Sequence, residues 1–239
     1  MKIAVINFSG NVGKSTVARH LLLPRIAGAE LVSVESLNAD EAAAAQSLRG
    51  RQFGELQEYL QTVDAVVVDI GASNVEELLM LMRKYRGSHE DFDCFVVPTV
   101  PALKQQQDTI ATLAELAGLG VDPSRIKLIF NMVDDGVEVS QAFAPLLSFL
   151  GEQPIAHAQS ACRLGFNEIY ARLPSLHADD VRDLAAIARD ETDYKSLIAH
   201  AANVTDKLSL AQALATQRLA RGVVPELDAC FAALELARL

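Results

Sequence analysis

The opening 24 residues constrain this chain more tightly than any other stretch. Lys2 to Asn7 reads KIAVIN, a short β-branched run. A loop of Phe8-Ser9-Gly10-Asn11-Val12-Gly13-Lys14-Ser15-Thr16 follows, and then an apolar segment, Thr16 to Leu23, whose helix must end near Pro24. Strand, glycine loop and helix in that order predict a cradle for phosphate. Gly10 and Gly13 let the backbone curl so that successive N–H groups point inward, and the helix start adds its positive end. Lys14 is placed to reach the β- and γ-phosphates of a nucleoside triphosphate, and the Ser15 hydroxyl to ligate Mg²⁺. One position departs from the general Gly-x-x-x-x-Gly-Lys-Ser/Thr pattern, because Phe8 stands where its first glycine belongs.

The rest of the N-terminal two thirds repeats a strand–helix alternation. Leu31 to Val34, Ala65 to Ile70, Cys94 to Val97 and Ile126 to Asn131 are short apolar runs of the kind buried on both faces of a sheet. Between them, Ser73 and Glu76 have the spacing of a capping box and Gly87 that of a helix-ending glycine. Leu103, Ile110, Leu113 and Ala117 share one helical face. The expected fold is α/β, a mainly parallel sheet flanked by helices over residues 1–175, with a helical C-terminal region at 176–239. In that tail Leu227, Phe231 and Leu234 form a late apolar stripe.

Composition narrows the partners. With 239 residues and a formal charge of −10, the chain is poorly suited to sequence-independent binding of a polyanion, which rests on Lys and Arg replacing condensed counterions, so direct DNA binding is not expected. No apolar run approaches the ~20 residues needed to span a bilayer. Only Lys2 precedes the first β-like run and there is no small-residue cleavage site, so a cytoplasmic address is expected. Cys94, Cys162 and Cys230 lack metal or redox spacing and read as buried thiols. The five histidines show no metal spacing and are assigned no role.

Three further positions carry candidate chemistry. Asp69 ends the apolar strand Val66-Val67-Val68, where Mg²⁺ held by Ser15 and phosphate needs a negative partner; the alternative is a solvent-facing strand-end acid. Gly71, just beyond, would let a loop approach the γ-phosphate. Glu35 follows Leu31 to Val34 and either orients an attacking water or is an exposed loop residue. Asn131, after Lys127 to Phe130, either pairs with the base of a nucleotide or caps a turn. Asp134 and Asp135 read as a helix start rather than as metal ligands.

Together these residues resemble the deviant Walker A ATPases of the ParA and MinD type, whose loop reads Lys-Gly-Gly-x-Gly-Lys-Thr-Thr. The opening MKIAVINFSGNVGKSTVARHLL looks like the StbB group of plasmid stability proteins within that class. The resemblance spans about residues 1–175 and implies ATP with Mg²⁺ as cofactors. By position, Lys14 matches the phosphate lysine, Ser15 the magnesium hydroxyl and Asp69 the acid of the second nucleotide motif. Glu35 falls near the first switch aspartate, and Asn131 matches an adenine-contacting asparagine. The segment Pro98 to Pro101 resembles the loop before the family's next helix, and the loop after Pro154 to His157 the one closing over the base. The whole of Ser9, Gly10, Asn11, Val12, Gly13, Lys14, Ser15 and Thr16 is thereby implied to touch nucleotide.

Two departures bear on catalysis. The family's signature lysine, which crosses to the partner subunit's phosphates, is Ser9 here, and an uncharged hydroxyl cannot neutralise developing γ-phosphate charge as a cation does. Glu35 is one methylene longer than the family's aspartate. The resemblance implies a nucleotide-switched partition or stability protein that forms a homodimer on binding ATP, engages a plasmid-segregation partner, and hydrolyses ATP slowly or on stimulation. Two alternatives stay open: a P-loop small-molecule kinase or synthetase, with Arg163 and Arg172 as loose acceptor-site candidates, and a hydrolysis-deficient scaffold.

Overall fold

The structure is a computed structural model that describes residues 1–34, 50–173 and 183–236. Five strands form one parallel sheet: β1 (Lys2–Val5), β2 (Glu30–Ser33), β3 (Val66–Asp69), β4 (Cys94–Thr99) and β5 (Ile126–Phe130), in the order β2-β3-β1-β4-β5. The strand carrying the glycine loop is therefore central. Register is tight, with Val5 opposite Asp69 on one side and Val96 on the other.

Burial on both faces explains the continuous apolar runs. Ala4, Ile6, Val66, Val68, Phe95, Val97, Leu128 and Phe130 belong to one apolar cluster, and the intervening Ile3, Val5, Val67, Val96 and Ile129 are fully buried as well. That cluster also takes in Phe53, Leu56 and Leu60 of α2 (Gly50–Thr62) and Leu78 and Met82 of α3 (Ala72–Lys84). Leu113 and Leu116 of α4 (Leu103–Gly118) join it, as do Leu146 and Leu150 of α6 (Ala144–Glu152); the short α5 (Val139–Ala142) precedes α6. α1 (Lys14–Thr16) continues as a wider π turn over Val17–Leu22 that packs on β3, and closes with a 3₁₀ turn at Leu23–Arg25 around Pro24, where proline was expected to stop it.

Local details differ from the sequence expectation in three places. α3 begins at Ala72 with Gly71 as its cap and no side-chain cap bond, so Ser73 lies inside the first turn. The buried face of α4 is Gln106, Thr109, Thr112, Leu113 and Leu116, and Leu103 is 57% exposed; polar partners under the loop select that face. Glu138, not Asp134 or Asp135, precedes α5.

Beyond β5 the chain returns along that strand's outer edge, with His157 bridging to Lys127 and Arg163 to Phe130 in parallel sense. By internal contacts the chain divides into residues Met1–Phe166 with Cys230–Leu239, and residues Asn167–Ala229. The second unit holds α7 (Ile169–Arg172), α8 (Leu184–Arg189), α9 (Tyr194–His200) and most of α10 (Val204–Ala233). Ala220, Val223, Leu227 and Cys230 are buried along α10, and Leu234 just past its end, while Phe231 is half-buried.

Candidate functional site

The chain leaves β1 toward β2 and leaves β4 toward β5, so connections diverge between the adjacent β1 and β4. A crevice at the carboxyl ends of strands with that divergence is where open α/β sheets take ligands. The Phe8–Thr16 loop stands there.

Its turn is set by backbone that few residues adopt. Gly13 has φ 86° and Asn11 φ 50°, both in the left-handed region. Val17 N–H then donates to Gly13 O at 2.9 Å, the first bond of the helix. Gly10, Asn11 and Ser15 are exposed, Thr16 is half-buried and Val12 is fully buried. The loop thus offers glycine backbone and the Ser15 hydroxyl outward while Val12 anchors it.

Lys14 is only 8% exposed. Its ammonium donates to Asn7 O at 3.2 Å and Ser9 O at 2.7 Å, joining the end of the loop to its entrance. Ser9, 4% exposed, is held from both sides: its N–H donates to Asn7 Oδ1 at 2.8 Å and its carbonyl receives Lys14. Position 9 is therefore a buried, neutral residue with both of its backbone polar groups engaged.

Asp69 lies at the end of β3, 5% exposed, with its neighbour Ile70 donating N–H to Val5 O at 3.1 Å. The carboxylate is thus on the strand beside the loop's root, and with Ser15 it offers the hard oxygen donors that Mg²⁺ accepts. Among the described residues no three His, Cys, Asp or Glu side chains gather where they could share a metal. Asn131, 5% exposed, donates from Nδ2 to Val12 O at 2.9 Å, and a Cβ on Gly13 would fall 2.2 Å from that same nitrogen. The fold thus brings Asn131 directly against the loop and Asp69 alongside it. Glu35 lies outside the described residues. Arg163 is half-buried beside Phe130, and Arg172 faces Glu168 at 3.7 Å.

No protein-family profile matches the chain, and no curated protein matches it in sequence. Among solved structures, an ATP complex of a McdA variant from Cyanothece is similar at 15% identity and a TM-score of 0.45, over 90% of this chain and 96% of that one. A protein from Borrelia burgdorferi B31 described as a plasmid partition protein, bound to AMPPNP, is similar at the same 15% identity and TM-score of 0.45, over 75% of this chain and 92% of its own.

The polar support beneath the loop escaped the sequence reading. Asn7, fully buried, donates from Nδ2 to Pro98 O at 2.9 Å and to Thr109 Oγ1 at 2.8 Å. Thr109 in turn reaches Thr99 Oγ1 at 3.0 Å, and Phe8 N–H donates to Thr112 Oγ1 at 3.1 Å. Gln106 donates to Pro101 O at 2.7 Å and Ala142 O at 3.0 Å, tying the β4–α4 loop to α5. Two signals were available: a polar Asn closing KIAVIN, and Gln106, Thr109 and Thr112 repeating at three-residue spacing on a helix. Farther along α1, burial and, secondarily, Arg19 pull the His20 imidazole down from 6.5 to about 4, so it is neutral at ordinary pH. The three cysteines are free and buried, and burial pushes Cys94 up to about 12 and Cys162 to about 11.

Proposed function

We propose that this chain is an ATP-binding switch protein of plasmid stability or partition, in which nucleotide held by the Phe8–Thr16 loop changes a surface read by a partner. One observation carries the reading: a left-handed Gly13 followed by a buried Lys14 at the carboxyl end of the central strand, with Asp69 on the adjacent strand. Ser9, Gly10, Asn11, Val12, Gly13 and Thr16 supply the cradle, Lys14 the charge against the β- and γ-phosphates, and Asn131 the support behind it. Ser15 and Asp69 are the residues that would hold Mg²⁺. The cation, when bound, neutralises charge on the β- and γ-oxygens.

Turnover of ATP and water to ADP and phosphate is slow by itself in this reading, because the neutral Ser9 stands where the resembled family has a lysine. Glu35 is the residue proposed to orient the attacking water. ATP-dependent homodimerisation, a plasmid-segregation protein as partner and a cytoplasmic setting complete the proposal. Among the described residues no helix is long and apolar enough to cross a membrane. A hydrolysis-deficient scaffold is the second reading, favoured by the buried, backbone-tethered state of Ser9.

Lys14→Ala should weaken Mg²⁺-ATP binding by at least about a hundredfold in calorimetry. Unaltered affinity would refute the site. Size exclusion with and without Mg²⁺-ATP, and phosphate release with and without a candidate partner, then separate the switch from the scaffold.

A further inference from the structure

A bound nucleotide would touch the exposed side of the loop, and on its buried side Asn131 is the residue that holds the Val12–Gly13 peptide. Asn131 closes β5, its own N–H fixed to Thr99 O at 2.8 Å, and the chain turns at once through a left-handed Met132, φ 55°. That turn brings Met132 N–H to Asn131 Oδ1 at 3.0 Å, which orients the amide so that Nδ2 faces Val12 O at 2.9 Å. Both ends of the amide are thereby engaged with backbone.

We propose that Asn131 is a positioning residue for the phosphate loop, acting on bound nucleotide through the Val12–Gly13 peptide and hence through the triphosphate, not through the base. A trans peptide holds its C=O and N–H on opposite sides. Pinning the Val12 carbonyl toward β5 turns the Gly13 N–H away from it, into the concavity where an anion would sit. The same contact restricts position 13 to glycine a second time: beyond the demand of φ 86°, any Cβ would meet the Asn131 amide at 2.2 Å. The inference rests on the nucleotide reading of the loop.

The experiment compares Mg²⁺-ATP with Mg²⁺-tripolyphosphate, which has the phosphates and no base, on wild type, Asn131→Ala and the isosteric Asn131→Asp. Positioning predicts that Asn131→Ala weakens both by the same factor, about tenfold for one ordinary hydrogen bond. Asn131→Asp, which sets acceptor against acceptor, should weaken both further. Loss of ATP binding with tripolyphosphate unchanged would assign the residue to the base and overturn the proposal. Hydrogen exchange on the ligand-free protein gives a separate reading: the Val17 amide, bonded to Gly13 O at 2.9 Å, should exchange faster in both variants, with the β3 amides unchanged. Should wild type bind neither ligand, the nucleotide reading falls, and unaltered exchange at the Val17 amide would still overturn the positioning role.

Discussion

The phosphate loop and the helical unit of residues 167–229 are held by polar bonds of opposite reach. Under the loop, four side-chain bonds join residues 91, 102, 104 and 119 positions apart, from Asn7 to Pro98 O and Thr109, from Phe8 to Thr112, and from Asn131 to Val12 O, beside the short-range bonds within the loop that Lys14 and Asn7 make. In the helical unit the caps are local: Asp183 accepts from Ala185 N–H at 2.8 Å, Asp193 from Ser196 N–H at 3.1 Å, and Asn203 from Asp206 N–H at 2.9 Å. Its longer bonds, from Gln217 and Arg221 of α10 to the carbonyl of Asp190, are at 2.6 and 2.8 Å and sit at or near the surface. A loop built on distant partners is ordered only when the whole sheet is. A unit built on caps can lose one helix end without losing the rest.

The largest expected effect falls on Asn7. Replacing it by Ala strands Pro98 O and the Ser9 N–H in a fully buried setting, and should cost about 4 kcal/mol in urea unfolding. A cost below about 1 kcal/mol would break the comparison, since the loop would then not depend on its distant partners.

Next comes acid sensitivity. His20 protonates near 6.5 in the unfolded chain and near 4 in the folded one, so between those values the unfolded state binds the extra proton. Stability should therefore fall as pH drops from 6.5 to 4, by up to about 3 kcal/mol from this residue, and change little on its account below that. His20→Gln should flatten the slope; an undiminished slope would assign the sensitivity to other groups. The smallest effect is at the caps. Asp193→Ala should cost about 1 kcal/mol and raise hydrogen exchange only at the start of α9, leaving the Val17 amide at the loop untouched. Faster exchange in the loop would show that the two regions are coupled.

The same difference in reach separates what could be read from the sequence from what could not. The opening strand–loop–helix, the parallel sheet and the approximate position of each strand follow from neighbouring residues: β-branched runs, Gly13-Lys14-Ser15 and Pro24. The departures are polar. Thr109 and Thr112 on a helix look like surface residues until Asn7 and Phe8, about a hundred positions away, are known to face them. Asn131 left a choice between base and turn, because Gly13 as its neighbour is a fact of three dimensions. On α4 the expected face holds at Leu113, which is buried, and at Ile110, which packs on the core; Leu103 is exposed, and the buried Gln106, Thr109 and Thr112 are missed for that reason.

The short return of the chain from His157 to Leu164 decides how this sheet can grow. Along the outer side of β5, Leu128 and Phe130 already donate to His157 O and Cys162 O at 3.1 and 2.8 Å, and His157 and Leu164 donate back to Ile126 O and Phe130 O at 2.8 and 2.9 Å. A foreign strand arriving there finds no open ladder to copy. That flank is closed to templated addition, whether by an extended peptide or by the edge of a second sheet.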